Sequence, residues 1–495
     1  MKLFSTRNNQ NIVNFQEAIL NCVPEDGGMY VPAEDTNLQP WIFHTNENTS
    51  FNSIAGSLTT ALLRDEFSPL ISEGIAVKAF PFSPELRQLD KNLYILELFH
   101  GPTGCHKDFG ISYLASCLEH ILCMNDKKAT ILAMTNGETG TAITEAIRNK
   151  ENLKALLLYE KGTMRGFTEA DCVWNGGNIY PVEINGTEED IFKLVRHIFS
   201  KQDLVKKYGL TCANNLNIGR IIPQSFFYTY AFSRLKNKTN GEIFYSLAAG
   251  NYGNLVSALY SWKFSLPVTG FITNKTTELS LDLRGKCQVL DSIVPLQERS
   301  ATDPVNPSNI ERLEQVFQAN PLVLKGFIFP AEISSEDQKK ACQEMFMKYE
   351  TFITPQAALA YAAAKKRQDI YDKDNDTMVL IARDHPALYA KEIKHWCTLG
   401  DTIQLGVELF QRVRGDLGPC GVDLGLIVAL DLDVDTGQTA FQLDKVTAHA
   451  RALQHLAQRL PRKACDKAKR HRRLAQLMQN VGHVNALAAK IQLLV

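Results

Sequence analysis

The stretch that most constrains this chain is Phe99-His100-Gly101-Pro102-Thr103-Gly104-Cys105-His106-Lys107-Asp108-Phe109-Gly110, a turn that carries one lysine between a strand pattern and a helix pattern. Ahead of it, Leu93-Tyr94-Ile95-Leu96-Glu97-Leu98 reads as a strand; behind it, residues 111–124 read as an amphipathic helix. Gly101-Pro102 marks the turn, because proline fixes φ and glycine accepts φ > 0. A lysine at the mouth of such a turn stands where open α/β sheets bind ligands, beyond the carboxyl ends of their strands. Its amine is suited to a Schiff base with a carbonyl cofactor, pyridoxal phosphate above all. A lone lysine is ordinarily a solvated surface group, and a second turn is what singles this one out.

That second turn is Gly250-Asn251-Tyr252-Gly253-Asn254, entered from the apolar run Tyr245-Ser246-Leu247-Ala248-Ala249 and followed by a helix pattern. Successive backbone N–H groups at a helix N-terminus form an anion cradle. Its glycines let a phosphate approach the backbone with no Cβ in the way. Gly250, Asn251, Tyr252, Gly253 and Asn254 are therefore the expected residues for a cofactor phosphate, and Lys107 is the expected covalent anchor.

Between and beyond these turns the pattern alternates. Strands are expected at 130–135, 154–159 and 178–184, and helices at 111–124, 143–149 and 191–201. Asn136-Gly137-Glu138-Thr139-Gly140-Thr141-Ala142 is another strand-to-helix turn, rich in capping residues. Asn185 to Asp190 reads as an N-cap with an acidic first turn. Alternation of this kind predicts an α/β fold with mostly parallel sheets covered by helices. Residues 1–80 read as a small helical domain, 81–397 as the α/β core, and 398–495 as an appended segment with helical character. In that last segment Trp and Tyr disappear, and Phe410 and Phe441 are the remaining aromatics. Asp431-Leu432-Asp433-Val434-Asp435-Thr436-Gly437 lacks the glycine placement and terminal glutamate of a calcium loop and reads as a strand and turn. Residues 462–473 are basic in a helical pattern, which reads as a solvated face.

A net charge of −1 points to no nucleic-acid or anionic-membrane partner, so any anion affinity has to be local. The 11 cysteines form no CxxC pair and no metal-ligand spacing with histidine, which fits reduced thiols and a cytoplasmic location; no metal site is expected. The first residues turn polar at once, which reads as no secretory signal. No apolar run approaches the ~20 residues of a membrane helix.

The two turns, with four more motifs in the same order, resemble the threonine synthases, pyridoxal-phosphate enzymes of fold type II. The motifs are Phe4-Ser5-Thr6-Arg7 with Glu25-Asp26-Gly27-Gly28-Met29-Tyr30-Val31-Pro32; Asn214-Asn215-Leu216-Asn217-Ile218-Gly219-Arg220-Ile221-Ile222-Pro223-Gln224; Asn306-Pro307-Ser308-Asn309-Ile310-Glu311-Arg312-Leu313; and Asp384-His385-Pro386-Ala387. The resemblance runs from residue 1 to about 395. It implies two α/β subdomains, pyridoxal phosphate bound at Lys107, and conversion of O-phosphohomoserine and water to L-threonine and phosphate. Thr139, Gly140 and Thr141 are then the candidates for the substrate carboxylate. Asn217 and Arg220 join the substrate site, and Lys161, Arg220 and Arg312 are candidates for its phosphate. A monomer or homodimer is expected. Alternatives on the same scaffold are a phospholyase, a serine/threonine deaminase or a non-catalytic relative.

The chain also departs from the family. Asn136 and Glu138 stand where serine and aspartate are usual, and Thr354-Pro355-Gln356-Ala357 stands where the family carries Asp-Pro-His-Thr. Arg383-Asp384 replaces a Thr-Ala whose hydroxyl contacts the pyridine nitrogen. An arginine facing that nitrogen is expected to oppose its protonation. The alternative is that Asp384 pairs with Arg383 and turns it away.

Overall fold

The computed structural model describes residues 1–135, 137–163, 177–289, 294–319 and 321–397. The appended segment, with its acidic loop and basic stretch, lies outside the described residues. Fifteen strands are described: β1 (Lys2–Ser5), β2 (Asn8–Asn14), β3 (Tyr30–Pro32), β4 (Glu85–Asp90), β5 (Leu93–Glu97), β6 (Ala129–Met134), β7 (Leu153–Glu160), β8 (Ile179–Ile184), β9 (Leu210–Thr211), β10 (Ile243–Leu247), β11 (Gly270–Asn274), β12 (Leu279–Leu281), β13 (Cys287–Val289), β14 (Ile328–Ala331) and β15 (Thr377–Ala382).

Two sheets make the α/β core. One has the order β14-β11-β10-β15-β5-β4 and is parallel except for β4, which runs antiparallel on the edge beside β5. The other has the order β8-β7-β6-β9 and is parallel throughout. The central strands β10 and β15 of the larger sheet are buried along their length, as parallel strands covered on both faces are. On one face of the larger sheet, helices Ser335–Tyr349 and Pro355–Lys366 pack an apolar cluster that includes Ile95, Phe244, Ile272, Met345 and Leu380. Helix Glu188–Ser200 covers the smaller sheet through Ile191, Val195 and Phe199. Among the described residues no helix is long and apolar enough to cross a membrane.

Residues 1–80 are not purely helical. Helices Phe15–Asn21, Phe51–Leu63 and Pro69–Ala79 are there, but so is an antiparallel sheet ordered β2-β1-β3. β2 escaped the sequence reading because Asn8-Asn9-Gln10-Asn11 has low strand propensity and lies exposed along an edge strand.

Helix boundaries differ from expectation for local reasons. The helix after the lysine turn begins at Lys107, not 111. Its Gly110 is an interior residue: a Cβ there would stand 2.7 Å from Arg220 Cγ and 2.9 Å from Arg220 O, so a packing glycine looked like turn material. The helix after β6 begins at Glu138 rather than 143. Thr135 Oγ1 accepts from the N–H groups of both Gly137 (3.0 Å) and Gly140 (2.8 Å), which closes the turn early. The helix expected at 191–201 spans Glu188–Ser200, started by a capping box between Thr187 and Asp190.

Candidate active site

Adjacent parallel strands β10, β15 and β5 end side by side, and the residues that follow them meet there. After β5 comes the lysine turn, after β15 comes Arg383, and after β10 comes Gly250. The lysine turn and the loop after β15 are stitched together: His106 N donates to Arg383 O at 2.7 Å, and His385 N donates to Gly104 O at 2.8 Å. Within the turn, Thr103 donates through N (2.9 Å) and Oγ1 (2.7 Å) to the Asp108 carboxylate, which fixes the start of the helix. Burial pushes the Asp108 carboxyl up to about 6 against these bonds.

Lys107 occupies the first position of its helix, with Nζ 2.5 Å from Glu138 Oε2. Glu138 opens the helix after β6, so the ion pair joins the ends of the two sheets. Beside it, Asp384 Oδ1 lies 3.2 Å from His106 Nδ1. Burial alone would raise the Asp384 carboxyl, but the His106 bond, with the charges of His106 and Arg383, holds it well below the usual range. Burial pushes the His106 imidazole down despite Asp384. A neutral ring with its proton on Nδ1, donated to an ionised Asp384, satisfies both. Tyr389, on the short helix after His385, shares this environment: burial first, then the charges of Glu138, Asp384 and Cys105, hold its phenol protonated.

The cradle is built from behind. Gly250 (φ 52°) and Tyr252 (φ 64°) take the left-handed conformation that turns the chain into helix Gly253–Lys263. Asn251 is gripped on both sides: its Oδ1 accepts from Asn215 Nδ2 at 2.9 Å, and its carbonyl accepts from Asn309 N at 3.0 Å. The Asn254 side chain faces inward, bonded to Tyr228 Oη (3.0 Å) and Gln224 (3.3 Å), and the Tyr252 hydroxyl meets Thr276 and Glu278. These side chains are committed to the protein. The backbone N–H groups of Gly250, Asn251 and Asn254 have no acceptor among the described residues, which is the arrangement an anion needs.

Arg383 lies against this turn. Its Nη1 stands 3.1 Å from where a Cβ on Gly250 would be, and its Nε is buried without an acceptor. No ion pair joins Arg383 to Asp384 among the described residues.

Several expected substrate residues are hydrogen-bonded within the protein. Asn217 is fully buried; its Nδ2 donates to Ile19 O (2.9 Å) and Cys212 O (3.0 Å), and its Oδ1 accepts from Gly219 N (3.0 Å). It caps a helical turn. Arg312 is fully buried and donates to the carbonyls of Tyr30 (2.9 Å), Asn215 (2.7 Å) and Leu216 (2.7 Å) and to Asn309 Oδ1 (2.7 Å). Since Asn215 and Asn309 hold Asn251, Arg312 supports the cradle from the rear. Gly140 N donates to Thr135, and Thr141 Oγ1 donates to Gly137 O at 2.9 Å, so both also take part in the turn itself. Thr139 keeps its N–H and hydroxyl without a partner among the described residues. Lys161 is exposed. Arg220 is buried beneath Gly110; Nη1 donates to Ala213 O at 2.8 Å while Nε has no acceptor, and burial pushes the guanidinium down to about 10.

The chain is similar to known proteins over most of its length. A family model described as the threonine synthase N terminus matches residues 2–76. The threonine synthase of Buchnera aphidicola from Schizaphis graminum is 29% identical over 419 residues, covering 83% of this chain and 94% of that protein. The crystal structure of the Escherichia coli threonine synthase superposes with a TM-score of 0.66 at 26% identity, covering 83% of this chain and 94% of the other. Over most of its length the chain is thus similar to threonine synthases. The pyridoxal-phosphate-bound threonine synthase of Brucella melitensis shares the fold, with a TM-score of 0.69 at 22% identity over 86% of this chain and 94% of that one.

The residues present fit pyridoxal phosphate: a cradle of uncommitted amides, a buried guanidinium nitrogen without an acceptor, and a lysine at a strand-end turn. Sequence reading missed Asn215, Asn309 and Tyr389. The first two lie inside motifs already singled out, but no pattern says that they meet Asn251. The Glu138 departure was visible, and its contact with Lys107 was not.

Proposed function

We propose that this protein is a pyridoxal-phosphate-dependent threonine synthase, converting O-phosphohomoserine and water to L-threonine and phosphate. The observation that carries the reading is that Lys107 and the uncommitted amides of Gly250, Asn251 and Asn254 follow β5 and β10, the two strands that flank β15 at the same end of one parallel sheet. Lys107 would hold the cofactor's carbonyl carbon, and those amides its phosphate. When bound, pyridoxal phosphate supplies the electron sink for a carbanion at the substrate's Cα.

The chain's own groups do the rest. Lys107 Nζ takes protons from the substrate carbons and returns them. Glu138, in contact with that nitrogen, stabilises it when it carries the extra proton. Thr139, at the start of its helix, orients the substrate carboxylate with its hydroxyl and N–H. Arg220, its Nε unpaired, is the candidate for the leaving phosphate, where charge grows late in the reaction. Residues 1–80 close the site from one side, 81–397 form the catalytic core, and 398–495 are an appended segment. The protein acts in the cytoplasm on this small substrate, as a monomer or homodimer.

The test is incubation with O-phosphohomoserine while phosphate and threonine are measured together. Equimolar release supports the reading. Phosphate with 2-oxobutyrate and no threonine would indicate a phospholyase instead, and no product from cofactor-loaded protein would indicate a non-catalytic relative.

A further inference from the structure

We propose that Arg383 belongs to the anion-holding half of the site, with its guanidinium, laid against Gly250, binding the cofactor's phosphate instead of facing the ring nitrogen. The inference rests on the cofactor reading above and narrows it.

Placement comes first. Parallel pairing runs Ile243 to Thr377, Phe244 to Met378, Tyr245 to Val379 and Ser246 to Leu380, so β10 and β15 deliver Gly250 and Arg383 at the same edge. Nη1 lies where a side chain at position 250 would begin, 3.1 Å from the ideal Cβ. Glycine at 250 thus serves two ends, a φ of 52° and room for this guanidinium.

The charge is also uncommitted. Several other guanidinium groups among the described residues are occupied: Arg7 holds Glu311 at 2.6 Å, Arg299 holds Glu314 at 2.5 Å, Arg87 holds Glu97 at 2.7 Å, and Arg312 makes its four bonds. Arg383 donates to no acceptor among the described residues, and its Nε is shut away from solvent. Leaving a buried charged donor unmatched is costly. The carboxylate next in sequence feels that charge but accepts no hydrogen bond from it, because Asp384 is turned to His106. The backbone of Arg383 is pinned as well, through its carbonyl, to His106 N.

What surrounds the guanidinium is phosphate chemistry. The amides of Gly250, Asn251 and Asn254 supply fixed donors, and a planar five-donor fork pairs with phosphate oxygens. A pyridine nitrogen offers such a fork one lone pair at most, and none once protonated. The threonine usual at this position in the family is too short to lie over Gly250, so the change of residue implies a change of partner.

Two aldehydes separate the alternatives: pyridoxal phosphate and pyridoxal, which lacks the phosphate. Each is titrated into the full-length, cofactor-free protein, into Arg383→Gln and into Arg383→Lys, and binding is followed by the absorbance of the lysine adduct. Arg383→Gln should weaken pyridoxal phosphate by about tenfold to a hundredfold and change pyridoxal by less than about threefold. Arg383→Lys should recover part of the loss, as a point charge without the fork. Retained pyridoxal binding shows that the variant is folded. Equal loss for both aldehydes would put Arg383 at the ring and overturn the inference, as would no loss for either. If borohydride traps pyridoxal phosphate on Lys107 in the parent protein and Arg383→Gln still shows no phosphate-selective loss, the cofactor reading survives and the Arg383 assignment fails. If the parent protein holds neither aldehyde, both fail.

Discussion

Gly253→Ala tests whether the cradle is held from behind. A Cβ at this position would stand 2.8 Å from Asn215 Nδ2 and 3.1 Å from Asn215 Cγ. Asn215 is not free to step aside, since its Nδ2 donates to Asn251 Oδ1 at 2.9 Å and its carbonyl accepts from Arg312 Nη1 at 2.7 Å. The added methyl therefore competes with the Asn215–Asn251 bond, worth about 1 kcal/mol net. Losing that bond releases Asn251, whose N–H is one of three uncommitted donors, so cofactor Kd should rise by roughly fivefold to tenfold. Global stability should move little, because alanine gains up to about 1 kcal/mol over glycine in helix propensity. The assay is an absorbance titration of pyridoxal phosphate into cofactor-free protein, with a thermal melt alongside. Asn215→Ala removes the group that the methyl meets. The double variant Asn215→Ala/Gly253→Ala should then bind cofactor no worse than Asn215→Ala alone, a coupling of about 1 kcal/mol. Additive losses would refute the reasoning, and so would an unchanged Kd in Gly253→Ala.

Lys107→Ala should abolish turnover and the absorbance of lysine-bound cofactor, and borohydride reduction of the parent protein followed by peptide mapping should place the label on Lys107; a label on another lysine would overturn the assignment. Arg312→Met leaves the carbonyls of Tyr30, Asn215 and Leu216 buried without their donor, at about 3–5 kcal/mol, so its unfolding midpoint should fall by several degrees and its cofactor affinity should drop with it. The acid limb of stability should carry a histidine signature. Burial, with the charge of His100, holds His385 down to about 4, so its contribution is complete above its ordinary value near 6.5 and is lost as pH falls through about 4, up to about 3 kcal/mol. Asp108, raised to about 6, acts in the opposite sense, being favourable while protonated and unfavourable as pH rises through about 6. His385→Asn, which keeps an acceptor for Ala387 N, should flatten the fall in unfolding midpoint between pH 6.5 and 4 as measured in thermal melts across pH; an unchanged slope would remove His385 as its source.

What was legible in the sequence is what short-range patterns encode. The strand-turn-helix pattern around Lys107 and Gly250 follows from apolar runs broken by glycine, and its parallel-sheet consequence follows from alternation. Both turns lie at strand ends, as that pattern requires. Boundaries failed where a residue is dictated by a distant neighbour. Gly110 is glycine because Arg220 lies against it, and Gly140 because a Cβ would stand 2.8 Å from Thr135. Arg312 and Asn217 have the side chains of ligand-binding residues, but a buried guanidinium and a buried amide must be satisfied wherever they stand, and here the acceptors are main-chain carbonyls. The departure at 383 and 384 could be seen but not interpreted one position at a time. Asp384 answers His106, at the other end of the core sequence, while Arg383 is left facing Gly250 with its charge unpaired. The altered loop holds its acid on His106 and leaves the charge of Arg383 with no acceptor hydrogen-bonded to it. At the edge of a cradle of free amides, that charge is of use only to an anion.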